Sequence, residues 1–232
     1  LTFDGRFVAN EREYLEDAFA VFATRFADRA AFDAFYATLR KQEVRDEFLR
    51  IASFYRFLVK EGDWRITVPG FDPVIDYLTN SYKLIAIFSL IESFSALEHE
   101  DFYEWLLHQE SASVYPIQDQ TALAELYLKY KESFGAIRRC VAFFDRLPSQ
   151  LQQRLCDAIY IKDQPIVSIK KLAEFLYNLR SKFVHEGKLV LAVSESSNYS
   201  LGKKGVIQST LTMTTLHEAF EVGVLEYFRS GI

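Results

Sequence analysis

Leu176-Tyr177-Asn178-Leu179-Arg180-Ser181-Lys182-Phe183-Val184-His185-Glu186-Gly187 closes a helical pattern that opens near Val167. Ile169, Leu172, Leu176, Leu179 and Phe183 recur at spacings of 3, 4, 3 and 4, which is one apolar stripe along an α-helix. Gly187 is a natural stop, because glycine enters the left-handed conformation that ends many helices. Arg180 and His185 lie off the stripe, and five positions put them about 140° apart on a straight helix. They meet on one ligand only if the helix unwinds at its end or the arginine side chain reaches round.

Helical periodicity of this kind dominates the first 186 residues. Asn10 with Glu13 reads as a capping box, followed by Tyr14, Ala18, Val21, Phe22 and Phe26 at helical spacing. A second long amphipathic segment carries Phe32 through Leu58 and stops at Gly62. These two helices are expected to form an antiparallel pair, an N-terminal extension over residues 1–70, because a Pro- and Gly-marked linker follows. Asp72-Pro73 then opens a helix to about Leu97. A short helix near Asp101–His108, a long one over about Gln120–Leu147 and a shorter one at Ser149–Ile159 complete the helical part of a domain over residues 71–232. After Gly187 the period changes. Leu189–Val193 and Val206–Met213 read as strands of one late β-hairpin, at about 189–213, with a long loop at Glu195–Gly205. Thr215 with Glu218 reads as the capping box of a last helix. The fold class is mainly α, a helical bundle with an N-terminal helical extension and one late β-hairpin.

Composition narrows the function classes. The 232 residues carry a net charge of −5, 50% hydrophobic and 25% charged residues, which is the balance of an ordinary soluble protein. The most apolar run, Leu84–Ile91, is eight residues long, against the about 20 that a membrane helix needs, so no membrane is expected. No signal-peptide pattern is visible, and the sequence opens on Leu1. Cys140 and Cys156 sit among apolar residues at helical spacing and read as buried free thiols in a reducing cytoplasm. His99, His108, His185 and His217 include no pair at helical ligand spacing, and Glu98-His99-Glu100-Asp101 reads as a solvated helix end, so no metal is expected. There is no P-loop, GxGxxG or GxSxG, and no cofactor is expected. From Ile166 to Lys204 seven Lys and Arg face three Glu, a local net charge of +4 on an otherwise acidic chain. A forked cation and a titratable imidazole in an electropositive segment suit a phosphate ligand.

Arg180, four intervening residues and His185, at the end of a late helix, resemble the R-x4-H motif of the HEPN superfamily, the higher eukaryotes and prokaryotes nucleotide-binding domains. Leu179-Arg180-Ser181 with Val184-His185 is similar to the branch found in prokaryotic defence proteins. Ile85 to Phe94 resembles the long helix of such domains that carries an acidic residue, here Glu92. The resemblance covers about residues 72–230. It implies a metal-independent endoribonuclease of a defence or toxin–antitoxin system, with Arg180 and His185 catalytic and Ser181, Lys182 and Glu92 in support. It implies an RNA substrate, a homodimer whose motifs face each other, and an antitoxin or other partner protein. Ser181 departs from the Asn, Asp or His common after the arginine. Other readings stay open: Arg180 and His185 as helix-end residues pairing with Glu186 or Glu92, Glu92 as a structural partner of Arg180, and the chain as a non-catalytic scaffold or a plain helical interaction module.

Overall fold

Phenylalanines set the packing of the first third of the chain. The computed structural model describes residues 5–62, 70, 75–94, 102–108, 119–187, 193, 198–202 and 205–230. Helices α1 (Arg6–Ala9), α2 (Glu11–Phe22), α3 (Arg29–Thr38) and α4 (Gln42–Tyr55) come first, and α4 runs into a π turn at Arg56–Lys60. Asn10 precedes α2, yet its side chain caps nothing; its backbone carbonyl takes the Glu13 N–H at 3.0 Å. The capping work falls to Asp46 on α4, which accepts from the N–H groups of Phe7 and Val8 at 2.8 and 2.9 Å and so satisfies the start of α1.

The single helix expected over Phe32–Leu58 is two helices, α3 and α4. Arg45 Nε donates to the Leu39 carbonyl at 2.6 Å, filling an acceptor that a continuing helix pairs along its backbone. The bend lets Phe35 and Tyr36 of α3 reach Phe48 of α4, at 5.7 and 5.9 Å between ring centroids. Phe48 also meets Phe228 edge-on at 5.2 Å, from the last helix, α11 (Met213–Ser230). The buried side chains from Phe7 to Phe228 therefore form one cluster. Each fully buried aromatic contributes about 1.5–3 kcal/mol to that cluster.

Between these ends lie α5 (Ile75–Glu92), α6 (Phe102–Leu107), α7 (Gln120–Phe134), α8 (Ala136–Asp145), α9 (Ser149–Cys156) and α10 (Ile169–Glu186). The expected start at Asp72-Pro73 and the Glu98–Asp101 cluster lie outside the described residues. The helix expected over Gln120–Leu147 breaks at Gly135, whose extended backbone ends α7 and starts α8. A Cβ there sits 2.4 Å from the Lys131 carbonyl oxygen, so only glycine fits. Helices α8 and α10 pack along each other with α5 beside them, and Phe88 of α5 lies between Phe144 and Tyr177. Gly223 of α11 admits the Phe143 ring of α8, which lies 2.4 Å from where a Cβ belongs.

The late hairpin is present but shifted, and it belongs to a larger sheet. Strands β1 (Ile159–Ile161), β2 (Gln164–Pro165), β3 (Asn198–Gly202) and β4 (Gly205–Ser209) are antiparallel in the order β2-β1-β4-β3. The partner of β4 comes from the segment expected as a loop, with Gly202 paired to Gly205. Residues 188–192 lie outside the described residues, and Val193 is buried off the sheet. The β1–β2 hairpin turns on Lys162 and Asp163, both with positive φ, and residue 159 is strand rather than helix. The last helix starts at Met213 rather than Thr215. Thr212 Oγ1 takes the Thr215 N–H at 3.1 Å, while Glu218 pairs with Arg154 instead of closing a box. The fold is mainly α with a late hairpin, and no helix among the described residues is long and apolar enough to cross a membrane.

Candidate functional site

Helix α10 carries the Arg180 and His185 motif without interruption. Ser168 caps its start by accepting from the Lys171 N–H, and Gly187 ends it in the left-handed conformation. Leu172, Ala173, Leu176 and Leu179 are buried, which fixes the rotation of the helix. Phe183, half-buried, meets Tyr82 of α5 edge-on at 5.6 Å. Because the helix stays regular through Glu186, Arg180 and His185 are about 140° apart around its axis and about 7.5 Å apart along it. Their positions therefore lie on different sides of the helix.

Arg180 turns inward. Its side chain is 16% exposed, its guanidinium lies 5.5 Å from the Tyr177 ring centre, and Nη2 stands 3.6 Å from Glu92 Oε1. Glu92 is the last residue of α5 and 24% exposed. Arg139 of α8 joins from the other side, its Nη1 donating to the Glu92 backbone carbonyl at 2.9 Å. Among the described residues, Arg139 Nε, Arg180 Nε and Glu92 Oε1 are buried without a hydrogen-bond partner. Two guanidiniums thus gather at the end of α5, Arg180 against the Glu92 carboxylate and Arg139 against its backbone carbonyl, with a local charge of +1. Burial pushes the Cys140 thiol beneath them up to about 12, with the Glu92 charge adding to it and both arginines opposing. Burial likewise raises the Tyr177 hydroxyl, again with Glu92 adding to it.

The remaining positions sit differently. His185 and Lys182 are exposed on the last turns of α10, and Ser181 is half-buried. The structure therefore brings Glu92 and Arg180 together and leaves His185 and Lys182 pointing to solvent. Arg139 was not legible as a site residue from sequence, although its place four residues before Phe143, on the apolar side of α8, is a signal. Cys140 and Cys156 are free and buried. Among the described residues no group of three or more His, Cys, Asp or Glu is placed to hold a metal ion.

The buried carboxylate Glu221 also escaped the sequence reading. Glu221 of α11 is 2% exposed and takes Arg25 Nε at 2.7 Å, Lys60 Nζ at 2.8 Å and the Tyr55 hydroxyl at 2.9 Å. Burial and the Glu221 charge push the Tyr55 hydroxyl strongly upward. Elsewhere a cavity of about 870 Å³ opens beside α2 and α4, lined by Asp17, Ser53, Phe54, Arg56, Phe57 and Glu61. Its arginine is held at 2.6 Å by each of the two carboxylates. Comparison with protein-family models, with curated proteins and with solved structures gives no match.

Proposed function

We propose that the chain is a metal-independent endoribonuclease of the HEPN type, in a defence or toxin–antitoxin setting, working as a homodimer. The observation that supports this reading most is the division of labour on α10. Arg180 is held inward with Arg139 in a site of net positive charge, and His185 is presented to solvent on the last turn. RNA cleavage next to a 2′-hydroxyl needs a base for that proton, an acid for the leaving 5′-oxygen and cations for the phosphorane. The 2′-oxygen attacks phosphorus, the bond to the 5′-oxygen breaks, and a cyclic phosphate and a 5′-hydroxyl result. Arg180 supplies charge to the phosphorane, and imidazole carries the protons in and out. Because Arg180 and His185 of one chain face different ways, the histidine that serves a given arginine comes from a second copy. Two-fold pairing also supplies both an acid and a base.

A second reading, a non-catalytic scaffold that binds nucleotide, RNA or a partner protein, draws support from the same angular separation. The experiment that separates the two is incubation of purified protein with total RNA in EDTA, beside His185→Ala. Cutting that persists in EDTA and disappears in the variant is the expected result. Intact RNA with the parent protein leaves the scaffold reading.

A further inference from the structure

We infer that the cavity beside α2 and α4 is a binding site for a small aromatic monocation, a flat apolar body that carries one ammonium or guanidinium group. The site is built from the N-terminal helices and does not depend on the α10 motif.

The chain leaves α-helical geometry where this cavity opens. The Glu61 N–H donates to the Arg56 carbonyl at 2.9 Å, the five-residue bond of a π turn. On an α-helix, positions five apart lie about 140° from each other. The wider turn brings the two onto one side, where Arg56 Nε meets Glu61 Oε2 at 2.6 Å. Arg56 Nη1 reaches across to Asp17 of α2, also at 2.6 Å, and the Ser53 hydroxyl donates to the second Asp17 oxygen at 3.4 Å. Two carboxylates share one guanidinium, so the three groups carry a net charge of −1. Glu61 is 49% exposed, and its Oε1 accepts no hydrogen bond among the described residues. An acceptor and an uncompensated negative charge therefore face the cavity.

The rest of the lining is aromatic. Phe54 is 41% exposed and is held edge-on by Phe7 at 5.8 Å between ring centres, and Phe57, three residues on, is 74% exposed. A flat apolar body stacks on such rings, and a cation gains from their negative faces as well as from the carboxylates. The volume, about 870 Å³, is that of a small-molecule site, and apolar walls with a few placed polar groups are the usual lining of one. Charge then chooses among apolar bodies. An anion is repelled by the excess carboxylate, and a neutral ring gains the stacking without the ion pair.

Titration of the full chain with tryptamine, followed by ligand-observed NMR and calorimetry, tests the site. The companion probes are tryptophol, its neutral analogue, indole-3-propionate, its anionic one, and ethylammonium, a cation without a flat body. Tryptamine is expected to bind with a Kd of about a millimolar, the scale for a ligand of its size. It should bind about tenfold more tightly than tryptophol, the combined scale of one half-exposed ion pair and one cation–π contact. That preference should shrink as salt is added. Indole-3-propionate and ethylammonium should bind more weakly than either. Glu61→Gln should bring tryptamine down to the level of tryptophol. Phe57→Ala should weaken both indoles severalfold and keep the preference for the cation. Neither side chain is buried, so both variants should melt with the parent. Glu43→Gln, at an exposed acid in the first turn of α4, is the control for net charge and should bind tryptamine as the parent does. Indole-3-propionate or tryptophol bound as tightly as tryptamine overturns the inference, and so does tryptamine binding that Phe57→Ala leaves unchanged, the variant that carries the test if Glu61→Gln misfolds. No tryptamine bound by the parent overturns it too. In that event, a change in oligomeric state of Phe57→Ala by light scattering assigns the rings to a second copy of the chain.

Discussion

Glu221 and Glu92 both lie among cationic side chains, and their surroundings differ in kind. Glu221 is almost fully enclosed, and both of its oxygens are hydrogen-bonded, one to Arg25 and the other to Lys60 and Tyr55. Glu92 is more open, and its buried Oε1 has the Arg180 guanidinium at 3.6 Å, beyond hydrogen-bond range. A closed network ties α11 to the N-terminal helices. An open one spends stability to hold groups ready. The contrast teaches that buried charge alone does not mark a site; unmet hydrogen-bonding capacity does.

The largest expected effect breaks the closed network. Glu221→Ala leaves Arg25, Lys60 and the Tyr55 hydroxyl without their acceptor in the heart of the cluster, and removal of one partner from a buried ion pair typically costs about 3–5 kcal/mol. Urea denaturation measures it. Arg25 and Lys60 keep about a quarter of their side-chain exposure, so the low end of the range is expected. A loss no larger than that of a surface substitution would mean that the arginine and lysine simply turn to water and that the network adds nothing.

Next in size is Leu179→Ala, one residue from Arg180 and buried on the α10 stripe. Truncation of a buried leucine costs about 2–5 kcal/mol. It should lower the melting temperature clearly while leaving the charges of the open cluster intact. If it melts like the parent, α10 is not held by its stripe, and the orientation of Arg180 has another cause.

A pH measurement reaches the open cluster through Cys140. Folding holds this thiol protonated up to about 12, whereas in the unfolded chain it ionises near its ordinary value of 9.0. A group raised by folding stabilises fully below its unfolded value. Its contribution is therefore intact below about pH 9 and lost as pH rises from 9 toward 12. Cys140→Ala should flatten the alkaline fall in stability over that window relative to the parent. Identical slopes would show that Cys140 keeps no folded-state protection. The thiol should also react slowly with alkylating reagents at pH 8 until the chain unfolds.

What was legible in the sequence follows from which forces are local. Apolar spacing set α10 and its burial, since Leu172, Leu176 and Leu179 need only the period of one helix. The breaks at Leu39–Lys41 and Gly135 were not legible. The first depends on Arg45 filling a carbonyl, and the second on a glycine inside an otherwise continuous pattern. The β1–β2 hairpin hid because Lys162-Asp163 is an uncommon pair for two positive φ angles. In the candidate site, Arg180 beside Glu92 was weighed from the helix pattern. Arg139 and Glu221 were not, because each acquires its meaning only from residues on other helices.

The smallest expected structural effect belongs to His185, and for that reason it is the most informative. The side chain is exposed on the last turn of α10, off the stripe that packs the helix. Substitutions at such positions usually change stability by no more than about 0.5 kcal/mol. His185→Ala should therefore melt with the parent, while cleavage in EDTA disappears. Mixing it with an Arg180→Ala variant adds a sharper outcome. If the histidine of one copy serves the arginine of the other, two inactive variants combined form mixed dimers with one Arg180–His185 pair, in which a single imidazole carries both proton transfers, and a small part of the activity returns. If both residues act within one chain, each mixed dimer contains only broken sites and the mixture stays inactive. A His185→Ala variant that melts like a core truncation makes the histidine a structural residue. One that stays folded and still cuts at the parent rate removes His185 from the chemistry altogether.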